Sequence, residues 1–417
     1  MRVFVINKRG QALMPCSTRK ARLLLKEKKA KIFKYEPFTI QLNIATGEIK
    51  QEIILGIDSG YKNVGISATT EKKELYSAEI TLRTDIVDLL SSRRSLRKTR
   101  RGRKTRYRKA RFLNRIKSKK KGWLAPSVEN KIETHLRIIK KILNILPISK
   151  IIIETAQFDI QKIKNPDISG IEYQNGEQLN FWNIREYVLF RDNHICQNCK
   201  GKTKDKILNV HHIESRKVGG NAPNNLITLC ETCHNNYHSG KIELKIKRGK
   251  SFKEATFMGV MRWTLYNRLK AIFNNTFQTY GYLTKNKRIE NNLPKSHRVD
   301  AYCIAGNLKA KKLDCYYLGK QVRKNNRQIH KMTINKGGTR KVNQSPYLVK
   351  GFRLFDKVRY RNIDCFIFGR RSSGSFDIRK LNGEKNSAGI SFKKLKLLDS
   401  RKTIITEVII SIPPLPK

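Results

Sequence analysis

The chain has 417 residues, enough for two to four domains, and carries 89 Lys plus Arg against 33 Asp plus Glu, a formal charge of +56. A surplus of that size requires a polyanionic partner, so protein-only and small-molecule roles fit it poorly. No apolar run approaches the ~20 residues that cross a bilayer and no secretory leader opens the chain, which makes a soluble, cytoplasmic protein the expectation.

In chain order, residues 1–53 read as a small α/β unit. It has strands at Val3 to Asn7, Ile32 to Tyr35 and Thr39 to Asn43, and a basic helix from Ser17 to about Lys29 that Ser17 or Thr18 caps. An apolar strand, Ile53 to Ile57, then ends in Asp58-Ser59-Gly60 and is followed by strands near Val64 to Thr69 and Leu75 to Ile80. Three antiparallel strands of this kind begin an α/β sheet.

Between Arg93 and Lys121 lie seventeen Lys or Arg in 29 residues and no acid. Leu96, Tyr107, Phe112, Leu113 and Ile116 give only a thin apolar stripe, so a helix here is basic nearly all round. Its position between two patterned segments argues against a disordered tail, and Arg favours bidentate phosphate contacts. Arg93, Arg94, Arg97, Arg100, Arg101, Arg103, Arg106, Arg108, Arg111 and Arg115 are the expected nucleic-acid contacts.

A helix with Ile132, Leu136, Ile139 and Leu143 on one face precedes Pro147, and the apolar strand Ile151-Ile152-Ile153 ends in a second carboxylate, Glu154. From about Asn165 the pattern turns to loop, and a module rich in Cys and His runs to about Gly249 as an insertion. Phe257 to Phe277 then reads as a helix. Ser296-His297-Arg298-Val299-Asp300 starts another, with His297 and Asp300 one turn apart on one face. Residues 313–417 alternate strands with turns such as Ser372-Ser373-Gly374 and Asn382-Gly383, a basic β-rich domain.

The insertion carries the densest chemistry: four Cys and four His between Cys196 and His238, within 43 residues. Cys196/Cys199 and Cys230/Cys233 are two C-x2-C knuckles, a spacing that closes a tetrahedral, structural Zn2+ site. Cys16, Cys303, Cys315 and Cys365 show no paired spacing, which suits a reducing compartment. His211-His212 precede Asn225 by fourteen and thirteen residues, and His234 and His238 share a helix face. His135, His194 and His330 stand alone and read as structural.

This arrangement, over about Arg185 to Lys241, resembles the HNH (ββα-metal) endonuclease motif. The resemblance implies His212 as the general base that deprotonates water, Asn225 as the residue orienting loop and base, and His211, His234 and His238 as holders of one divalent ion. Phosphodiester cleavage needs an activated water and a cation against the charge building on phosphate, and imidazole titrates near neutral pH.

Asp58, Glu154, His297 and Asp300 suggest a second site, since paired metals held by carboxylates clamp both the attacking and the leaving oxygen of a phosphodiester. Taken singly, each acid has an ordinary reading as a turn, cap or ion-pair residue. The order GIDSG, IIIET, HRVDA resembles the three split motifs of RuvC-type, RNase H-fold nucleases. With Leu13-Met14-Pro15 and the Arg-rich segment, nearly the whole chain is similar to the IscB family of RNA-guided DNA endonucleases; Ala12 stands where that family usually has a proline.

The fold then expected is an RNase H-like α/β core. It is split by an Arg-rich bridge helix and a zinc-containing ββα HNH insertion, with a small N-terminal α/β domain and a C-terminal β-rich one. The expected segments are 1–53, 54–90, 91–122, 123–165, 166–246, 247–312 and 313–417. The resemblance implies a non-coding guide RNA (omega RNA), a double-stranded DNA target with a short adjacent motif read by the C-terminal domain, and Mg2+ or Mn2+ at both nuclease sites. It also implies a transposon-encoded monomer inside a ribonucleoprotein. HNH cuts the guide-paired strand and RuvC the displaced one. An RNA-independent homing or resolving endonuclease and a non-cutting DNA-binding regulator are the rival readings.

Overall fold

The computed structural model describes residues 2–102, 124–155, 181, 183–216, 220–244, 246, 247, 249, 253–323, 337 and 346–410. The chain forms two compact units, Met1–Ala156 with Met258–Lys417, and Gln157–Phe257.

The first unit is built on three sheets. At its start, β1 (Val3–Ile6), β2 (Ala12–Cys16), β3 (Ala30–Lys34) and β4 (Thr39–Leu42) form a sheet in the order β2-β1-β4-β3. Helix α1 (Thr18–Lys26), whose first turn is capped by the Ser17 hydroxyl, packs Ala21 onto Val3, Val5, Leu13 and Ile40.

The central sheet contains β5 (Ile54–Ser59), β6 (Asn63–Thr69), β7 (Glu74–Thr81), β8 (Lys150–Glu154), β11 (Thr276–Thr279), β12 (Cys315–Gln321) and β18 (Ile404–Ile410). Its order is β11-β8-β5-β6-β7-β12-β18. Strands β5 to β7 are antiparallel neighbours, whereas β8 runs parallel to β5 in the register Ile57↔Ile153. That register carries Asp58 and Glu154 to the same end of the sheet, the carboxyl ends of parallel strands where α/β proteins place their ligands.

Helix α3 (Pro126–Leu143) buries Ile132, Leu136 and Ile139 of the stripe expected from its periodicity, together with His135, while Leu143 at its end is half-buried. Helix α2 (Ile86–Gly102) exposes Arg93, Arg94 and Arg97. Arg100 and Arg101 enter only as backbone at its end, and Arg103, Arg106, Arg108, Arg111 and Arg115 lie outside the described residues. No helix among the described residues is long and apolar enough to cross a membrane.

Two expectations need correction. The helix read over Phe257 to Phe277 is α6 (Lys253–Ile272), and Thr276–Thr279 is strand β11, paired in parallel with β8. Asn274-Asn275 ends the helix, and burying Thr276 at the sheet edge outweighs continued helical pattern. The tail beyond 313 is also not one β-domain. Strands β12 and β18 pair with each other and extend the central sheet through β7. Only β13 (Lys357–Tyr360), β14 (Ile363–Arg370), β15 (Ser375–Arg379), β16 (Lys385–Ser391) and β17 (Lys396–Asp399) form a separate five-stranded sheet. Its core is Val358, Cys365, Ile367, Phe376 and Ile378.

In the second unit, α4 (Ile184–Arg191) starts at Asn183, whose side chain accepts from the Glu186 N–H. A hairpin of β9 (Leu208–His212) and β10 (Leu226–Cys230) follows, and then α5 (Glu231–His238). The hairpin register is His212↔Leu226 to Cys230↔Leu208, and its core gathers Ile227, Leu229 and three cysteines.

Candidate active sites

The second unit contains two clusters, and they are the groups of three or more His, Cys, Asp or Glu side chains among the described residues that can hold a metal ion. The first is Cys196, Cys199, Cys230 and Cys233, with ligand atoms all within 4.8 Å of one another. The Cys199 and Cys230 sulfurs are 3.8 Å apart. A tetrahedron with metal–sulfur bonds of about 2.3 Å has edges of about 3.8 Å, so this geometry is that of a closed thiolate site. Asn198 donates to the Cys233 sulfur at 3.4 Å, and no cysteine is in a disulfide.

The other cluster is His211, His234 and His238. His211 is the last but one residue of β9 while His234 and His238 sit one turn apart on α5, and their rings lie 4.5 to 5.3 Å apart. The His234 and His238 Nε2 atoms approach to 3.3 Å, and the Nε2 of His211 is buried with no hydrogen-bond partner. Burial, then repulsion by His234 and His238, pushes the His211 imidazole down to about 4, so it is neutral and its lone pair is available. An orphaned buried nitrogen facing two other imidazoles fits a bound cation.

His212 is adjacent to this trio and half-exposed, and its Nε2 lies 3.0 Å from the Asn221 Oδ1. Asn225 is fully buried. Its amide donates to the Glu214 and Gly220 carbonyls, both at 2.9 Å, and its oxygen accepts from the Glu214 N–H at 2.9 Å. It therefore fastens both ends of the loop between β9 and β10. Its hydrogen bonds go to the loop backbone, whereas the ring nitrogen of His212 faces Asn221. Asn221 carried no signal beyond its place in that loop.

In the first unit the four expected residues meet at one end of the central sheet. Helix α8 (His297–Ala305), capped by Ser296, lies across β5 and β6. Two glycines allow this: a Cβ at Gly65 would collide with the His297 carbonyl, and one at Gly56 with the Ala301 carbonyl. The Nδ1 of His297 is 2.7 Å from the Asp58 Oδ2, although the two residues are 239 positions apart. That hydrogen bond raises the His297 imidazole above its usual value. Ser59 donates to the Glu154 carbonyl at 3.1 Å and ties the two strand ends together.

The carboxylates do not, however, form one three-acid cluster in reach of a single ion. Two arginines stand among them. Arg262, buried on α6, places its guanidinium 3.0 Å from the Glu154 Oε1 and 3.9 Å from the Asp58 Oδ1, and its Nε donates to the Ser59 carbonyl at 3.0 Å. Arg288, on α7 (Gly281–Glu290), pairs with Asp300 at 2.9 Å. Burial, then the proximity of Asp58, raises both Glu154 and Asp300 above ordinary carboxylates. Arg262 was legible in principle. It shares a helical stripe with Met258, Leu265 and Leu269, all buried, and a cation on an apolar face marks a buried partner.

Residues 3–176 match a family model described as RRXRR protein, and residues 196–240 match HNH endonuclease. Among solved structures, the chain is similar to Streptococcus thermophilus Cas9 in complex with the AGAA PAM, at 12% identity and a TM-score of 0.33. That likeness covers 61% of this chain, and the chain spans about a third (32%) of that one. No curated protein matches the sequence. The HNH match falls on the unit that holds both metal-type clusters, and the RRXRR match takes in Asp58, the Arg-rich run and Glu154. The chain therefore carries an RRXRR-type segment followed by an HNH endonuclease module.

Proposed function

We propose that the protein is an RNA-guided DNA endonuclease with two separate nuclease sites, one at the HNH histidines and one of RuvC type at the Asp58 end of an RNase H-like sheet. The observation that carries the two-site reading is the coexistence in one chain of a histidine cluster (His211, His234 and His238, with His212 beside it) and of Asp58, Glu154, His297 and Asp300 gathered with two arginines at one end of the central sheet. The segment boundaries expected from the sequence go with this reading, as does a structural Zn2+ held by Cys196, Cys199, Cys230 and Cys233.

At the histidine site, His211, His234 and His238 would hold a divalent cation, which when bound supplies positive charge to the scissile phosphate. His212 takes the proton of the attacking water at its imidazole, positioned by Asn221 on a loop that Asn225 keeps closed. Three imidazoles are a borderline donor set, better suited to Mn2+ or a later transition ion than to Mg2+. At the other site Asp58, Glu154 and Asp300 offer the hard oxygen donors that Mg2+ and Mn2+ take. Arg262 and Arg288 hold these acids in place, and His297 carries a proton against Asp58.

The net charge of +56 and the exposed Arg93, Arg94 and Arg97 supply phosphate contacts without base recognition, which suits a protein that leaves sequence reading to a paired RNA. In this reading a non-coding omega RNA pairs with one strand of the target, HNH cuts that strand, and RuvC cuts the other beside a short adjacent motif. The protein works as a monomer in a transposon-derived ribonucleoprotein at the nucleoid. The test is to purify the protein expressed with its native flanking DNA and sequence the RNA retained through a high-salt wash. One dominant species encoded beside the gene, able to direct cutting of a matching duplex, is the expected result. Cutting of bare DNA without RNA would instead favour a protein-only endonuclease.

A further inference from the structure

Within the first unit, β3, β7, α3, β18 and the five-stranded sheet meet around a cleft of about 670 Å³ including its open mouth. Its depth is apolar, lined by Ile80, Ile138, Ile142, Ile145 and Phe366, all almost fully buried. Five cations also line it: Lys34, Lys141, Lys357, Arg401 and Lys402. All five are half-buried and so lie nearer the solvent than the apolar floor.

Among the described residues only two acids line the cleft, and both are already engaged. Glu36 pairs with Lys357 at 2.8 Å and Asp399 with Lys402 at 2.7 Å. Lys34 and Lys141 are left facing each other and Lys402. Burial, then repulsion from Lys402 and Lys141, pushes the Lys34 amine down to about 8, and burial with Lys402 lowers Lys141. With five cations against two acids, the cleft carries net positive charge at a place where desolvation makes it costly. A second atom is also unfilled: the Glu36 Oε1 is buried without a hydrogen-bond partner.

A ligand that satisfies all three features has an anionic group for the lysines, a flat apolar ring for the floor, and an N–H donor for Glu36. We propose that this cleft takes one unpaired nucleotide of a bound single strand, its phosphate at Lys34 and Lys141, its base on the isoleucine floor, and an amino group of that base at the Glu36 Oε1. The occupant is extruded from a strand that other surfaces hold, so the cleft fixes the register of that strand on the protein. The inference rests on the nucleic-acid-binding part of the function proposed above and not on either nuclease site.

The test is a binding titration of the full chain with fluorescein-labelled single strands of roughly 15 nucleotides, of oligo-C, which carries an exocyclic amino group, and oligo-U, which does not, each as RNA and as DNA. Thr406→Trp, at a half-exposed cleft position, fills the space without changing charge. Lys34→Gln with Lys141→Gln removes two cleft charges, and Lys393→Gln with Lys394→Gln removes two exposed ones elsewhere as a control. The expected result is that both cleft variants weaken oligo-C binding by about tenfold, as loss of one base-stacking contact does, while the control changes it by less than about threefold. Thr406→Trp keeps the salt dependence of the unaltered protein, and oligo-C binds more tightly than oligo-U. The sugar preference of the cleft-dependent part identifies RNA or DNA as the source. Equal loss in cleft and control pairs with no effect of Thr406→Trp overturns the inference and leaves the proposed function standing. Absence of single-strand binding by the unaltered protein overturns both.

Discussion

The two candidate active sites are assembled in opposite ways. The histidine site is local, with His211, His212, Asn225, His234 and His238 on a hairpin and the helix that follows it, beside a cysteine tetrad that joins the turn after α4 to the end of β10 and the start of α5. The carboxylate site is assembled from distant segments, with Asp58 and His297 in contact across 239 positions. A local site on a unit with a small apolar core would draw stability from a metal held by its cysteine knuckles. A site at the end of a seven-stranded sheet has rigidity to spare, and its cost is the burial of like charges, which Arg262 and Arg288 offset.

The largest effect expected from this contrast is on the cysteines. Cys230→Ser with Cys233→Ser should unfold the Gln157–Phe257 unit, because structural zinc sites contribute about 10 kcal/mol of folding free energy or more. The central sheet should melt as before. Limited proteolysis and zinc content check it, and an unchanged cleavage pattern with unchanged zinc would remove the premise that the local site is stapled.

Next in size are the paired catalytic losses. His212→Ala should reduce cutting of one strand by about 10²–10⁴-fold, and Asp58→Ala should abolish cutting of the other. Strand-specific end-labelling of a cleaved duplex reads both, and if either change stops both cuts the sites are not independent.

Arg262→Gln tests the stored charge. Removing one partner of a buried ion pair costs about 3–5 kcal/mol, so the metal-free protein should melt earlier, and added Mg2+ or Mn2+ should raise its melting temperature more than that of the unaltered protein. Equal gains from metal would show that Arg262 does not stand in for a cation.

The smallest effect is the pH dependence of metal-free stability. His297, Glu154 and Asp300 all have raised values in the fold. Each therefore contributes stability that is fully present below its ordinary value and is lost as pH rises through its folded value. These three signs agree, whereas buried His135, pushed down to about 4, and Lys34, pushed down to about 8, act the other way, so in chelator it is the stability of the unaltered protein relative to Asp58→Asn that should fall as pH rises above the ordinary carboxylate and imidazole values. A flat or rising profile would contradict the arrangement. Substituting Mn2+ for Mg2+ sharpens the same comparison, because the imidazole site should gain more activity than the carboxylate site.

The histidine and cysteine clusters were legible because their chemistry is written at helical and knuckle spacing, where i and i+4 or C-x2-C put ligands together without help from the rest of the chain. The carboxylates were legible only as a set in order. Nothing local in Asp58 or Asp300 announces that an arginine will stand beside it. The β11 strand and the division of the C-terminal strands between two sheets were missed for a related reason. Thr276–Thr279 and Cys315–Gln321 are short segments that take their conformation from the strands they join, β8 and β7.

By itself, then, the sequence determined the charge that demands a polyanion, the imidazole and thiolate ligand sets, and the apolar strands that end in acids, because each depends on residue type and near spacing. Only the tertiary structure decided that Asp58 faces His297 across Gly65, that Arg262 and Arg288 neutralise the acids, and that five cations gather over an isoleucine floor. Those outcomes come from strand pairing and helix packing between residues far apart in the chain, which no local pattern encodes.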